Sequence, residues 1–268
     1  MRACVIMSVY KGDQVSFIKE ALGSLYNQTQ KADIFIKVDG PVDIDLLDFL
    51  HQERKKGNIA YLDIREKNLG LAYSLNELVE EGLKQGYEYF FRMDADDIAM
   101  PQRFDKQLSF MAKNPDIDVC GTFIEEFGEG YRKVVRYPLT HNEMLKFFQK
   151  RVPLPHVSAC FRKSYFQKAG LYPVKGHITN EDTLMWLQGF KDGCKFANVD
   201  YIGVKVRVSD DFFNRRATLK KVWYDFKNRL QVNKELGFGP MSYMYAIAVA
   251  MINLLPPKLK RVAYKYLR

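Results

Sequence analysis

Tyr89-Phe90-Phe91-Arg92-Met93-Asp94-Ala95-Asp96-Asp97-Ile98-Ala99-Met100-Pro101 is the stretch on which the fold turns. Its aromatic and apolar beginning predicts a strand emerging from the core. It ends in three carboxylates within four positions. Strand alternation would put Asp94 and Asp96 on one face, and Ala95 and Asp97 on the other. Carboxylates packed this closely repel, and burying them is costly unless they are neutralised. A hard divalent cation, Mg²⁺ or Mn²⁺, neutralises them by taking one or two carboxylates and filling its other positions with water and phosphate oxygens. The competing reading is a solvated acidic turn that opens a helix from Pro101, with Asp96 or Asp97 as its N-cap.

Upstream of this stretch, strands and helices alternate. Ala3 to Val9 is an apolar, β-prone run followed by the loop Ser8-Val9-Tyr10-Lys11-Gly12-Asp13. Ser16 to Gln28 carries Phe17, Ile18, Ala21, Leu22 and Leu25 at helical spacing. Asp33 to Val38 predicts a second strand, closed by the turn Asp39-Gly40-Pro41. A helix over Ile44 to Lys56 and a strand over Ile59 to Ile64 follow. Asn68-Leu69-Gly70 then turns into a helix from Leu71 to Gln85, and Tyr87 to Met93 is the fourth strand. This alternation predicts parallel pairing with right-handed crossovers, in which ligands bind beyond the carboxyl ends of the strands. Ser8 to Tyr10, Asp39, Arg65 to Asn68, and Asp94 to Asp97 all fall at such ends, so four loops converge on one rim. No GxGxxG or GxxxxGK cradle is present, so a bound nucleotide would have its diphosphate held by metal rather than by a nest of amides. Asp39 suits either a uracil N–H or ribose hydroxyl, or a turn bonding its own backbone. Arg65 and Lys67 either bring positive charge near base or phosphate, or form a solvated cluster.

The downstream half has a different pattern. A helix is expected over Phe104 to Lys113, then a hairpin of Asp118 to Phe127 and Tyr131 to Tyr137 joined by Gly128-Glu129-Gly130. Next come a helix over His141 to Lys150, a strand over Leu154 to Arg162 and a short helix over Lys163 to Ala169. Asn180-Glu181-Asp182 opens an apolar helix from Thr183 to Phe190. Asp182 would cap that helix, or the pair would oppose its dipole. One carboxylate is then left over, and a carboxylate at a helix N-terminus above a cleft also suits a general base. Val199 to Val208 is a last strand, followed by the polar loop Ser209 to Asn214 and by Arg215-Arg216.

Composition bounds these readings. The chain has 268 residues, enough for one large domain or two small ones, and its 47% hydrophobic content is ample for a core. A formal charge of +9 favours an anionic partner. The four cysteines, Cys4, Cys120, Cys160 and Cys194, stand far apart without a CxxC pair. A reducing cytosol is therefore expected, without zinc or a disulfide framework. Arg2 leads directly into a strand-like run, so no signal peptide is expected, and no stretch of 18 uncharged apolar residues predicts a spanning helix.

The ordered segments SVYKGD, EALGSLYNQT, VDGP, NLGLAYSLN, FRMDADDIAMP, HVSACFRKSYFQKAGLYP, NEDTLMWLQGFKDGCK and VRVSDDFFNRR together resemble glycosyltransferase family 2, over about Cys4 to Arg216. The resemblance implies an α/β fold of GT-A type, with a mainly parallel central sheet flanked by helices. It divides the chain into a catalytic domain over 1–216, with a nucleotide-binding half over 1–100 and an acceptor half over 101–216, and a helical basic extension over 217–268. It further implies inverting, metal-dependent transfer of a sugar from a UDP-sugar or similar donor to a hydroxyl of a glycan acceptor. Asp94 and Asp96 match the DxD motif that holds Mn²⁺ or Mg²⁺, with Asp96 as a direct ligand. Asp39 matches the nucleoside-binding aspartate, and Ser8 and Tyr10 match the loop beside the base. Arg65 and Asn68 belong with the nucleotide-sugar site. Asp182 matches the catalytic base, supported by Glu181. Arg216, with Arg215, sits where relatives carry a basic loop near the diphosphate, or simply begins the next helix. His156 fits a position on the acceptor side, or is a satisfied core histidine. Asp39-Gly40-Pro41 departs from the commoner DDGSxD by one carboxylate, a variant familiar among transferases of bacterial surface polysaccharides.

The tail carries its own signal. Ser242 to Leu255 is apolar and aromatic, Pro256-Pro257 breaks it, and Lys258 to Arg268 is basic and amphipathic. Phe212 to Leu236 mixes Lys220, Lys221, Lys227, Arg229 and Lys234 with Trp223, Tyr224 and Phe226. Such faces suit an anionic leaflet, or else pack on the body of the protein. Peripheral attachment to the inner face of the cell membrane fits a polyprenyl-diphosphate-linked acceptor, an inference from family habit. Two rival readings stand beside this one. A metal-dependent nucleotidyltransferase also uses paired aspartates on an α/β sheet but would favour a glycine-rich activating loop near the N-terminus, which is absent. A nucleic-acid-binding module would account for the charge, yet the basic residues cluster in the tail without a known binding motif, so no nucleic acid partner is expected.

Overall fold

The computed structural model describes residues 1–174, 181–208 and 219–254. The first half alternates as its periodicity predicts: β1 (Ala3–Val9), α1 (Val15–Tyr26), β2 (Asp33–Asp39), α2 (Ile44–Lys55), β3 (Tyr61–Arg65), α3 (Leu71–Lys84) and β4 (Tyr89–Met93). β1 pairs in parallel with both β2 and β4, and β2 pairs in parallel with β3. Helices cover both faces. Val5, Met7, Val9 and Phe91 point into one cluster with α1 and α2, whereas Cys4, Ile6 and Phe90 point into the other with α3. Period-two strands buried on both sides must be apolar at nearly every position, and β1 is.

β5 (Ile98–Ala99), α4 (Arg103–Lys113), β6 (Val119–Gly128), β7 (Tyr131–Val135) and α5 (His141–Phe148) follow. Then come β8 (Cys160–Arg162), α6 (Lys163–Ala169), α7 (Glu181–Lys191) and β9 (Phe196–Arg207). Among the described residues one sheet runs β3-β2-β1-β4-β8-β6-β9-β5, with β7 paired to β6. β8 runs antiparallel to β4 and β6, whereas β6 and β9 are parallel. The tail is helical, with α8 (Leu219–Glu235) and α9 (Pro240–Leu254) packed on each other and α8 against α7.

Three expectations are corrected. The segment Leu154 to Arg162 is not one strand. A 3₁₀ turn, His156–Ser158, precedes β8. Pro155 cannot donate to a ladder, and the Ser158 hydroxyl donates to the Pro155 carbonyl at 3.0 Å while accepting from the Thr122 amide at 3.0 Å. The alternation of the acidic stretch also stops early, because β4 ends at Met93 and Asp94 to Asp97 form a turn. Finally, neither Asp96 nor Asp97 caps the next helix. α4 begins at Arg103 with Gln102 at its N-cap, and β5 intervenes, bound to β9.

Candidate active site

The carboxyl ends of β1, β2, β3 and β4 lie side by side by register: Val9 opposite Val38, Asp39 opposite Arg65, and Met7 opposite Met93. The acidic turn therefore emerges beside the loop that follows β1. Oxygen atoms of Asp94, Asp96 and Asp97 lie within 4.8 Å of one another. All three converge, Asp97 included, which strand alternation would have sent to the opposite face.

Two arginines hold the turn. Arg92, buried inside β4, pairs with Asp94. Arg207, the last residue of β9, donates its amide to Asp97 Oδ1 at 2.8 Å and its Nε to the Asp96 carbonyl at 3.1 Å. Its guanidinium reaches Glu20 at 2.6 Å and lies 4.1 Å from the Phe17 ring centre. Beneath them Arg103, fully buried, donates to the carbonyls of Arg92 at 2.8 Å and Val157 at 3.0 Å. Burial pulls the Arg103 guanidinium down to about 10. Burial likewise pushes the Asp96 carboxyl up, with Asp94 adding repulsion, and pushes Asp97 well above the usual carboxylate range. Carboxylates that crowd and desolvate one another gain from a cation.

Asp13 belongs to the same cluster. Burial first, then Asp96 and Asp94, raise its carboxyl to about 7, against the lowering effect of the Tyr10 amide that it accepts at 2.9 Å. The turn closes through the Asp13 amide donating to the Tyr10 carbonyl at 3.0 Å. Tyr10 is half-exposed, with its ring lying over Gly12, where a Cβ would come within 2.5 Å of it. Ser8 sits one step earlier, within β1.

Asp39 lies at the far end of the rim. Its carboxylate is 3% exposed and accepts from Arg65 Nη1 at 2.9 Å, the Leu69 amide at 2.9 Å and the Gly70 amide at 2.8 Å. Asn68 Nδ2 donates to the Asp39 carbonyl at 2.9 Å, and Arg65 continues to Glu77 at 2.8 Å. Asp39 thus locks the β2 and β3 loops together, with Arg65 and two loop amides on its carboxylate and the Asn68 side chain on its carbonyl.

Glu181 and Asp182 open α7 within the electrostatic reach of Arg92. Burial raises the Glu181 carboxyl, Asp182 adds to the rise, Arg92 opposes it, and Asp94 contributes repulsion. The pair therefore shares one electrostatic neighbourhood with the acidic turn. Asp182 Oδ1 accepts the Thr183 amide at 2.7 Å, the local bond expected of a first-turn aspartate. Tyr172 stands among these charges: burial raises its hydroxyl, Arg92 opposes this, and Glu181, Asp182 and Asp94 add to it. His156 lies behind, its Nε2 2.9 Å from the Tyr172 hydroxyl and its ring edge-on to Trp186. Burial and Arg92 hold His156 well below the usual histidine range, so it is neutral. Arg216 and Arg215 lie outside the described residues, as do Asn180 and the segment from Lys258.

Asp97 is among the three carboxylates expected to meet a cation, whereas Asp13, Arg92, Tyr172 and Arg207 join the candidate site without being singled out in the sequence. A lone arginine inside an apolar strand was the available signal for Arg92. Nothing local marks Arg207, whose partners lie over a hundred positions upstream.

The family model described as "Glycosyl transferase family 2" matches residues 4–170. Over 269 residues the chain is 31% identical to the amylovoran biosynthesis glycosyltransferase AmsE of Erwinia amylovora, covering 97% of each. It is 29% identical to the UDP-Gal:alpha-D-GlcNAc-diphosphoundecaprenol beta-1,3-galactosyltransferase of Escherichia coli, covering 97% of this chain and 94% of that one. Among solved structures it resembles the mannosyltransferase PcManGT of Pyrobaculum calidifontis in complex with GDP-Man and Mn²⁺. That match has a TM-score of 0.65 at 13% identity and covers 99% of this chain and 80% of that one. The architecture is the GT-A fold.

Proposed function

Because this chain belongs to glycosyl transferase family 2 and is a glycosyltransferase, we propose that it transfers a sugar with inversion from a UDP-sugar to a hydroxyl of a glycan acceptor. The observation that carries this reading is that two acidic groups, Asp94-Ala95-Asp96-Asp97 and Glu181-Asp182, share the field of one buried arginine, Arg92. One cluster suits the donor diphosphate and the other suits deprotonation of the acceptor.

The donor set fits a hard cation, being all carboxylate, crowded and partly desolvated. Asp94 and Asp96 would hold Mn²⁺ or Mg²⁺, with Asp97 adjoining, and the ion would supply positive charge to the diphosphate as it leaves. Asp39, Arg65 and Asn68 bind or shape the nucleoside end, beside Ser8 and Tyr10. Asp182 takes the proton of the acceptor hydroxyl as its oxygen bonds to the anomeric carbon. The bond from that carbon to the diphosphate breaks with its electron pair leaving on the phosphate oxygen. Glu181 stays beside Asp182, whose charge helps to raise the Glu181 carboxyl. His156 supports the acceptor side through Tyr172. Arg216 assists at the diphosphate.

The reading extends to the reaction's setting. A relative whose printed name carries a diphosphoundecaprenol acceptor supports a lipid-linked acceptor here, and AmsE supports a place in bacterial polysaccharide synthesis. No helix among the described residues is long and apolar enough to cross a membrane. α9 nevertheless exposes Met241, Met244, Ile247, Met251 and Leu254 along one face. That stripe, next to the lysines of α8, supports peripheral attachment to the inner leaflet. Residues 1–216 are the catalytic domain on this reading, and 217–268 the attachment extension.

Thermal unfolding with UDP, with and without Mn²⁺, tests the donor side. Asp182→Asn should keep metal-dependent protection by UDP and lose transfer by a hundredfold or more, roughly the contribution of a general base. Asp96→Ala should weaken that protection, and unchanged metal dependence would remove Asp96 from the site.

A further inference from the structure

A cavity of about 250 Å³ lies between the end of α5, the start of α7 and the helices α8 and α9. Asp182 forms part of its wall. An apolar cavity of about 150 Å³ holds benzene, so this volume admits a substituted six-membered ring. The lining is polar. Arg151, Lys221 and Arg229 bring positive charge, Asp182 and Asp225 negative charge, and Val232 and Val249 contribute an apolar strip. Lys221 and Asp225 lie 3.4 Å apart and offset one another, and the charged lining as a whole, three basic and two acidic side chains, is net positive. Arg229 also donates to the Lys150 carbonyl at 2.7 Å, which fixes its guanidinium at the rim.

Asn233 is the residue that points to a ligand. It is 2% exposed, it lines this cavity, and its Nδ2 has no hydrogen-bond partner. Leaving a buried amide donor unmade is destabilising, so such a group is retained where something else completes it. Helix α8 could carry a leucine there without disturbing its backbone, because the bond from the Phe238 amide at 2.9 Å goes to the Asn233 main-chain carbonyl. A stability cost concentrated at a cavity that contains the candidate base marks a binding site.

We infer that this cavity seats the acceptor as a sugar phosphate, an inference that rests on the transferase reading above. The sugar ring occupies the space beside Val232 and Val249. Asn233 Nδ2 donates to a ring substituent oxygen, Arg151 and Arg229 face the phosphate, and a free hydroxyl is presented to Asp182. The helices that follow the catalytic region thereby contribute acceptor selection as well as attachment.

The test is protection against thermal unfolding by glucose, galactose and N-acetylglucosamine 1-phosphates, each compared with the plain sugar and with inorganic phosphate. At least one sugar phosphate should protect the wild type, more than either part alone. Asn233→Leu should leave the unliganded midpoint unchanged or raised and weaken that protection about tenfold in apparent affinity. Arg151→Gln should weaken it too, and both variants should keep protection by UDP with Mn²⁺. Equal protection of wild type and Asn233→Leu overturns the assignment, as does a fall in the unliganded midpoint with protection intact, which would make Asn233 structural. Protection by inorganic phosphate alone overturns the sugar half. Absence of any UDP effect, with sugar-phosphate protection retained and lost in Asn233→Leu, would sink the donor reading and leave the cavity assigned.

Discussion

Asp97→Asn separates a metal site from an acidic turn more sharply than any deletion. The three carboxyl groups place oxygens within 4.8 Å of one another. At an effective dielectric of about 20, two unit charges at that spacing repel by about 3.5 kcal/mol. A penalty of that size favours a proton over a third charge, and the most buried of the three, Asp97, is the one whose carboxyl is held well above the usual range by burial, Asp94 and Asp96. In metal-free protein burial, Asp94 and Asp96 thus favour the protonated form of Asp97, which is nearly isosteric with asparagine. The amide oxygen can still accept from the Arg207 amide, as Asp97 Oδ1 does at 2.8 Å. Asp97→Asn should then change metal-free stability by less than about 1 kcal/mol, the range of a substitution without cavity or lost partner. Metal binding needs the anion. At Mn²⁺ a hundredfold above its Kd the wild type gains about 2.7 kcal/mol, and a tenfold loss of affinity cuts that to about 1.4 kcal/mol. Urea unfolding with EDTA and with Mn²⁺ measures both quantities. A loss of several kcal/mol in EDTA would mean that Asp97 is ionised and paired, and an undiminished Mn²⁺ gain would mean that Asp97 takes no part in holding the ion.

Asp13 makes a pH prediction of definite sign. Its folded carboxyl, raised from 3.8 to about 7, keeps its proton longer than the unfolded one. Metal-free stability should fall as pH rises through that interval and level off above it. Stabilisation by Mn²⁺ should grow over the same interval, because the ion replaces the proton, and midpoints recorded against pH with EDTA or Mn²⁺ would show the two trends diverging. Gly40→Ala should cost about 1–3 kcal/mol, because φ is +87° and a Cβ would stand 2.8 Å from the Asn68 backbone nitrogen. Gly57→Ala has a similar φ of +80° with nothing near the new methyl, so urea midpoints should rank it the milder of the two.

The nucleotide side of the fold was legible because its signals are local. β1 spans Ala3–Val9 as its apolar run predicts, and α6 spans Lys163–Ala169. The parallel pairing follows from strict alternation, and with it the rim where Ser8, Tyr10, Asp39, Arg65, Asn68 and Asp94 gather. What escaped reading depends on distant partners. β5 is two residues long and exists because β9 pairs with it, and β9 begins at Phe196, ahead of the expected Val199, because β6 offers a parallel edge from Val119. Ser158 bends its own segment because Thr122 is in reach. The cavity beside Asp182 needs four helices to enclose it, and no spacing in the sequence announces Asn233.

Arg207 has a consequence for how this molecule comes into being. The amide that steadies Asp97 arrives 110 positions after it, and the same residue returns to Glu20 in the first helix. A ribosome that has just finished β4 and the turn after it has made an acidic corner held from one side alone, by Arg92 on Asp94. The full set of bonds on the acidic turn is thus withheld until β9 has been synthesised and threaded back, so the candidate site takes its final shape only after that strand joins the sheet.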